Sequence, residues 1–140
     1  MKFRGDYYFL SNMFPCEVSL DLGGGVLTFG SAEAAFQAMK CPERADEFVG
    51  LEGVDAKRKG RHVQLREDWE EVKNECMHQV VLAKFSQNPT LMSKLCSVSG
   101  EIVEDNTWGD TYWGVSGGVG LNILGRILMS VRDGQGVQSA

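Results

Sequence analysis

The chain has 140 residues, 43% apolar and 24% charged, which suits one globular domain with a real core and excludes a low-complexity tract. A formal charge of −5 and a pI near 5.0 exclude a general attraction to a nucleic-acid backbone, so any contact with a polynucleotide has to be local. Cys16, Cys41, Cys76 and Cys96 are far apart, with no CxxC pair and only His62 and His78 to join them, which is neither a zinc pattern nor a disulfide framework.

The opening "MKFRGDYYFL" lacks the long apolar core of a signal peptide. No apolar run approaches the roughly 20 residues that span a bilayer. A cytoplasmic protein with reduced thiols and no membrane partner is expected. "CEVSLDLGGGVLTFG" predicts strands at 17–20 and 26–29, joined through the glycines at 23–25. Ser31 suits an N-cap, and the helix formers of "AEAAFQAM" predict a helix that ends near Cys41, since Pro42 forbids smooth continuation. Short helices are expected in "ERADEFVG" and "VDAKRKGRHV". The clearest helix is "EDWEEVKNECMHQVVLAKF", with Trp69, Val72, Cys76, Val80 and Ala83 at three- and four-residue steps and acids in its first turns. Another helix should cover 90–96, "GEIVED" reads as a short strand, "NTWGDTYWGVSGGVG" as a long loop, and "LNILGRILMSVR" as a closing helix. The expectation is a single helix-rich α+β domain over 1–140, with a short N-terminal hairpin and a frayed tail at 133–140.

Glu33, Gln37 and Lys40 are spaced by four and three residues, which places them on one helical face. The helix macrodipole alone accounts for an acid at the start and a cation at the end. Helical side chains also lean toward the N-terminus, so the lysine stem can reach back over Gln37, and a ligand along that face would meet all three. Between Asp105 and Gly120, tryptophans, a tyrosine, carboxylates and glycines are crowded together. The rings can stack on a base or seal the core, and "SGGVGLN" before a helix is a weak phosphate signal. Arg61 is either a phosphate or carboxylate fork or a solvated helix end; Trp69 is a core anchor or a stacking platform; Asn12 reads a base or ribose or forms a turn. His62 and His78 have no matched Ser or Cys partner and are read as structural.

"FRGDYYFLSNMFP", "SAEAAFQAMK", "AKRKGR", "DW", "KFSQN", "DTYWG" and "GLNILGRILMSVR" stand in the order and at about the spacing of the NADAR family, the YbiA-like N-glycosidases named for NAD and ADP-ribose. The chain resembles that family over roughly residues 3 to 132. The family's "SxEHYFQAxK" is matched at Glu33, Phe36, Gln37 and Lys40, with Ala34 and Ala35 in place of the usual His and Tyr. Its "DxxWG" falls on Asp110, Trp113 and Gly114, and its "GxNxLG" on Gly120, Asn122, Leu124 and Gly125; Trp108 lies outside the pattern.

The resemblance implies an α+β fold and hydrolysis of an N-glycosidic bond to a phosphorylated ribose, with no cofactor and no metal. The implied partner is an ADP-ribosyl or phosphoribosyl nucleobase, with local contact to ADP-ribosylated DNA or RNA. Its substrate classes are ADP-ribosyl-guanine and the ribosylamino-pyrimidine phosphates of riboflavin biosynthesis; a non-catalytic NAD or ADP-ribose binder is the alternative. Glu33 or Asp110 would act electrostatically or as acid and base, and Lys40 as a Schiff-base nucleophile. Arg61, Asn122 and the glycine-rich loop with Gly114 and Gly120 would hold phosphates and ribose hydroxyls, Asn12 and Gln37 would contact the substrate, and Trp69 or Trp113 would flank the base.

Overall fold

A computed structural model describes residues 1–139, with side chains through residue 134. Of the tail expected to fray, residues 135–140 lie outside the described side chains. The backbone divides into two compact units, one of Asn12–Asn88 and one of Met1–Ser11 with everything from Pro89 onward. Among the described residues no helix is long and apolar enough to cross a membrane.

In the unit Asn12–Asn88, β1 (Pro15–Asp21) and β2 (Val26–Ser31) form an antiparallel hairpin with Val18 opposite Phe29 and Asp21 opposite Val26. The Asp21 carboxylate organises the turn by accepting the N–H groups of Gly23 and Gly25. Val18 and Phe29 are fully buried, the inward half of an alternating pattern, and β1 packs on α3 (Trp69–Gln87). The exposed edge of β1 is covered by amides from the end of α3: Gln87 exchanges two hydrogen bonds with Ser19, and Asn88 donates to the Glu17 carbonyl. These side chains do the work of a third strand.

α1 (Ala32–Ala38) begins as expected, with the Ser31 hydroxyl accepting the Ala34 N–H at 3.1 Å. It ends earlier than expected. The N–H groups of Met39, Lys40 and Cys41 each reach back three residues instead of four, so the chain tightens out of the α-helix before Pro42, and Lys40 stands two residues past α1. A 3₁₀ segment, Pro42–Phe48, and α2 (Gly53–Gly60) follow. On α3 the buried stripe is Cys76, Met77, Val80, Val81, Lys84 and Phe85, so a lysine sits in the middle of an apolar face.

The other unit contains a 3₁₀ segment, Gly5–Leu10, then α4 (Pro89–Ser97), β3 (Asp105–Asn106), β4 (Val115–Ser116) and α5 (Ile123–Ser139). Leu91 and Leu95 of α4 are buried, as are Leu124, Ile127, Leu128 and Val131 at helical spacing on α5, and the two helices pack together. Arg132 donates to the carbonyls of Val98 and Gly100 just beyond α4. The strand expected at "GEIVED" reduces to Asp105–Asn106, which pairs in parallel with Val115–Ser116. Ile102, Glu104 and Asn106 are buried with the strand period of two, but the Glu104 N–H and the Ile102 carbonyl are both taken by the Asn122 side chain. A side-chain amide has replaced the strand partner.

Candidate active site

Glu33 lies in the first turn of α1, where its backbone N–H donates to the Asn12 carbonyl at 2.9 Å. Its carboxylate accepts the Gln37 amide at 2.8 Å, one helical turn on. Gln37 is 5% exposed and its Oε1 is buried without a hydrogen-bond partner. Lys40, half-buried, is held by its backbone carbonyl, which accepts the Arg66 N–H at 2.9 Å.

α2 crosses this face on two glycines. A Cβ at Gly53 would lie 2.6 Å from the Met13 sulfur and 3.4 Å from the Glu33 Cβ, and one at Gly60 would overlap the Gln37 amide oxygen. Residues 53, 57, 60 and 61 share one face of α2, because Arg61 keeps helical backbone angles as its C-cap. That face brings Lys57 and Arg61 toward Lys40. Burial pushes the Lys40 ammonium below the usual lysine range; the Glu33 carboxylate opposes this, and the like charges of Lys57 and Arg61 add to it.

The cations of α2 fall into two groups. Arg58 pairs with Asp55 at 3.2 Å and Lys59 with Glu47 at 2.9 Å. Arg44 and Lys59 together hold the Glu47 carboxyl down to about 2. Lys40, Lys57 and Arg61 have no ion pair to another described residue. Lys40, with Glu33 on one side and the unpaired cations Lys57 and Arg61 close enough to act on it, forms a site suited to an anionic ligand. Lys57 was not singled out in the sequence, although its four-residue spacing to Arg61 carried the signal.

The remaining candidates take other roles. Trp69 is buried against Phe36, ring centroids 5.2 Å apart, which makes it a core anchor for α3 in place of a stacking platform. Asn12 is buried, with Nδ2 on the Met77 sulfur at 3.3 Å, and contributes its carbonyl to the start of α1. Ala34 and Ala35 are fully buried and offer no side chain to a ligand.

In the other unit, Asp110 Oδ1 accepts the N–H groups of Tyr112 and Trp113, while Asn106 bonds both backbone groups of Asp110. Trp113 is half-buried and meets Tyr112 edge to face at 4.9 Å. Asn122 is an internal brace, 8% exposed with both amide atoms bonded to backbone. Gly114 is a close-approach residue, since a Cβ there would overlap the Glu104 carbonyl; one at Gly120 would overlap the carbonyl of Gly114. The helix start that follows "SGGVGLN" has its first amides occupied. The N–H groups of Leu121, Asn122, Ile123 and Leu124 already donate to the carbonyls of Thr111, Gly114, Tyr112 and Trp113. Among the described residues no cluster of His, Cys, Asp and Glu is placed to hold a metal ion.

Comparison with known proteins agrees with this architecture. The solution NMR structure of the Escherichia coli protein YbiA superposes with a TM-score of 0.83 at 31% identity, covering 99% of this chain and 84% of that one. The N-glycosidase YbiA of Escherichia coli is 35% identical over 76% of this chain and 70% of its own length. A riboflavin biosynthesis protein of Vibrio vulnificus is 34% identical over 89% of this chain, and a chloroplastic riboflavin biosynthesis protein of Zea mays 30% identical over 88%. The chain spans only 35% and 22% of the lengths of those two. The model of the NADAR domain matches residues 2–134, nearly the whole sequence, and the chain belongs to the NADAR domain family.

Proposed function

We propose that this protein is an N-glycosidase that cleaves the bond between a nucleobase and a phosphorylated ribose, with Lys40 as nucleophile, Glu33 as acid and base, and ADP-ribosyl-guanine as substrate. One observation carries the reading: a half-buried amine with no ion pair, beside a carboxylate and two further unpaired cations. An ammonium at the ordinary value of ~10.4 is inert at neutral pH, and desolvation among like charges is a recognised way to free its lone pair.

The ribose opens as the C1–O4′ bond breaks, O4′ taking a proton and the lone pair of the base nitrogen forming a C1=N imine; Glu33 then takes the Lys40 proton, and the freed Nζ adds to C1 while the C1=N π electrons return to the base nitrogen. The bond from C1 to the base then breaks with its electron pair, and the proton from Glu33 goes to the departing base nitrogen. The imine left on Lys40 adds water at C1. The bond from C1 to Nζ then breaks, and the sugar closes as its hemiacetal. Lys57 and Arg61 supply two unpaired cations for the phosphate groups of the substrate. A second reading, a ribosylamino-pyrimidine phosphate, draws support from the relatives named riboflavin biosynthesis proteins, and the N-glycosidase names of others support the reaction type common to both.

The test is mass spectrometry after incubation with an ADP-ribosyl-guanine oligonucleotide and, separately, with a ribosylamino-pyrimidine phosphate. Unmodified guanine together with free ADP-ribose is the expected result. Cleavage of the pyrimidine substrate alone would move the protein to the second reading. Binding of ADP-ribose without release of either base would make it a non-catalytic NAD or ADP-ribose module and overturn the enzymatic one.

A further inference from the structure

We infer that Gln37 is a positioning residue that fixes the Glu33 carboxylate, and that Gly60 is the seat that locks Gln37 into that task. The inference rests on the acid and base role of Glu33 proposed above. Gln37 donates Nε2 to Glu33 at 2.8 Å, and the opposite amide orientation would set two oxygens against each other. Its Oε1 is thereby turned to Gly60, buried and without a hydrogen-bond partner, an arrangement that carries a desolvation cost. The oxygen occupies the place a Cβ at residue 60 would fill, so only glycine, with a second hydrogen on Cα, can face it.

Glycine in a helix is disfavoured against alanine, and close approach is the physical reason for it here. With one side of the amide packed against α2, Gln37 can donate in one direction only. That holds one carboxylate oxygen in place for a proton transfer whose efficiency depends on geometry.

The experiment uses Gln37→Met, which keeps length and loses the donor, with Gly60→Ala, Gln37→Ala and the double variant Gln37→Ala/Gly60→Ala. Lys40, Lys57 and Arg61 are present in all four variants. Titration of the Glu33 carboxyl by carbon-13 NMR is the first readout. Losing a donated N–H destabilises the carboxylate, so Gln37→Met should move protonation of Glu33 to higher pH than in the unaltered protein. The second readout is turnover, where kcat should fall about 10–100-fold with KM little changed, the scale seen when a group that orients a reacting side chain is removed. Gly60→Ala should reproduce both changes, and adding it to Gln37→Ala should cost nothing more, because the atom it displaces is gone.

Unchanged Glu33 titration in Gln37→Met, or an equal effect of Gly60→Ala with and without Gln37, would overturn the inference. The NMR arm needs no turnover. If the unaltered protein releases no base, the proposed function fails while the titration still decides whether Gln37 holds Glu33.

Discussion

Gln37 and Asn122 are both buried carboxamides, one in each unit, and they are satisfied to opposite degrees. Asn122 gives both amide atoms to the backbone of residues 102 and 104. Gln37 gives one atom to an ionisable side chain and leaves the other without a hydrogen bond. A fully bonded buried amide is a structural brace, and the glycine-rich loop around Asn122 follows the same rule, with Asp110 and Asn106 bonded to nearby backbone. Among the described residues the buried side-chain atom left without a hydrogen-bond partner is Gln37 Oε1, one helical turn from Glu33. Residue type does not separate the two regions; the accounting of hydrogen bonds and ion pairs does.

The hardest break in this comparison is at Lys40. Lys40→Arg should keep the charge and lower turnover on the order of 10³-fold or more, since a guanidinium is a poor nucleophile. Borohydride added during turnover should leave the sugar covalently attached at Lys40 in the unaltered protein and nowhere in the variant. Normal turnover by Lys40→Arg, or an adduct mapped to another lysine, would return Lys40 to an ordinary cation.

A second buried lysine sharpens what is special about the first. Lys84 is 1% exposed, with its ammonium 5.0 Å from the Phe85 ring centre and 5.7 Å from that of Phe14, and burial lowers its titration to about 8. The unfolded chain, titrating near 10.5, holds this proton across a window where the folded chain has released it. Stability should therefore rise from pH 8 to pH 10.5, by roughly 3 kcal/mol, and the gain should be lost as pH falls back through 8. Denaturant unfolding across that range measures the slope, and Lys84→Met should remove this contribution.

In the brace, Asn122→Ala should destabilise by roughly 2–3 kcal/mol, because the Glu104 N–H and the Ile102 carbonyl lose their shared partner in a buried place. Chemical denaturation would show it, and ligand affinity per folded molecule should be unchanged. The smallest expected effect separates the paired from the unpaired cations of α2. Lys57→Ala or Arg61→Ala should weaken ADP-ribose binding about fivefold, near 1 kcal/mol, while Arg58→Ala, which breaks a pair with Asp55, should leave it unaltered by calorimetry.

Much of the local structure was legible because it depends on neighbours in the chain. The alternation at 17–20 and 26–29, the cap at Ser31 and the apolar steps of α3 all produced elements where expected. The line from Glu33 to Gln37 was legible for the same reason, being one helical turn. The site was legible only as far as that turn reaches. Residue spacing puts Lys40 on the helix, whereas the hydrogen bonds tighten after Ala38, and the contact of Trp69 with Phe36 joins residues 33 positions apart that no local pattern relates.

What the sequence by itself determined is therefore the α+β class, the hairpin, most helices and the polar face of α1, all set by periodicity, capping and turn chemistry within a few residues. The tertiary structure alone decided that Gly60 seats Gln37, that Lys57 joins Arg61 near Lys40, that Asn122 takes the place of a strand partner, and that Lys84 lies in an apolar stripe. Each of these depends on whether a buried donor, acceptor or charge meets a partner contributed from elsewhere in the chain. Desolvation makes that pairing energetically decisive, and no property of the residue type foretells which distant group will arrive.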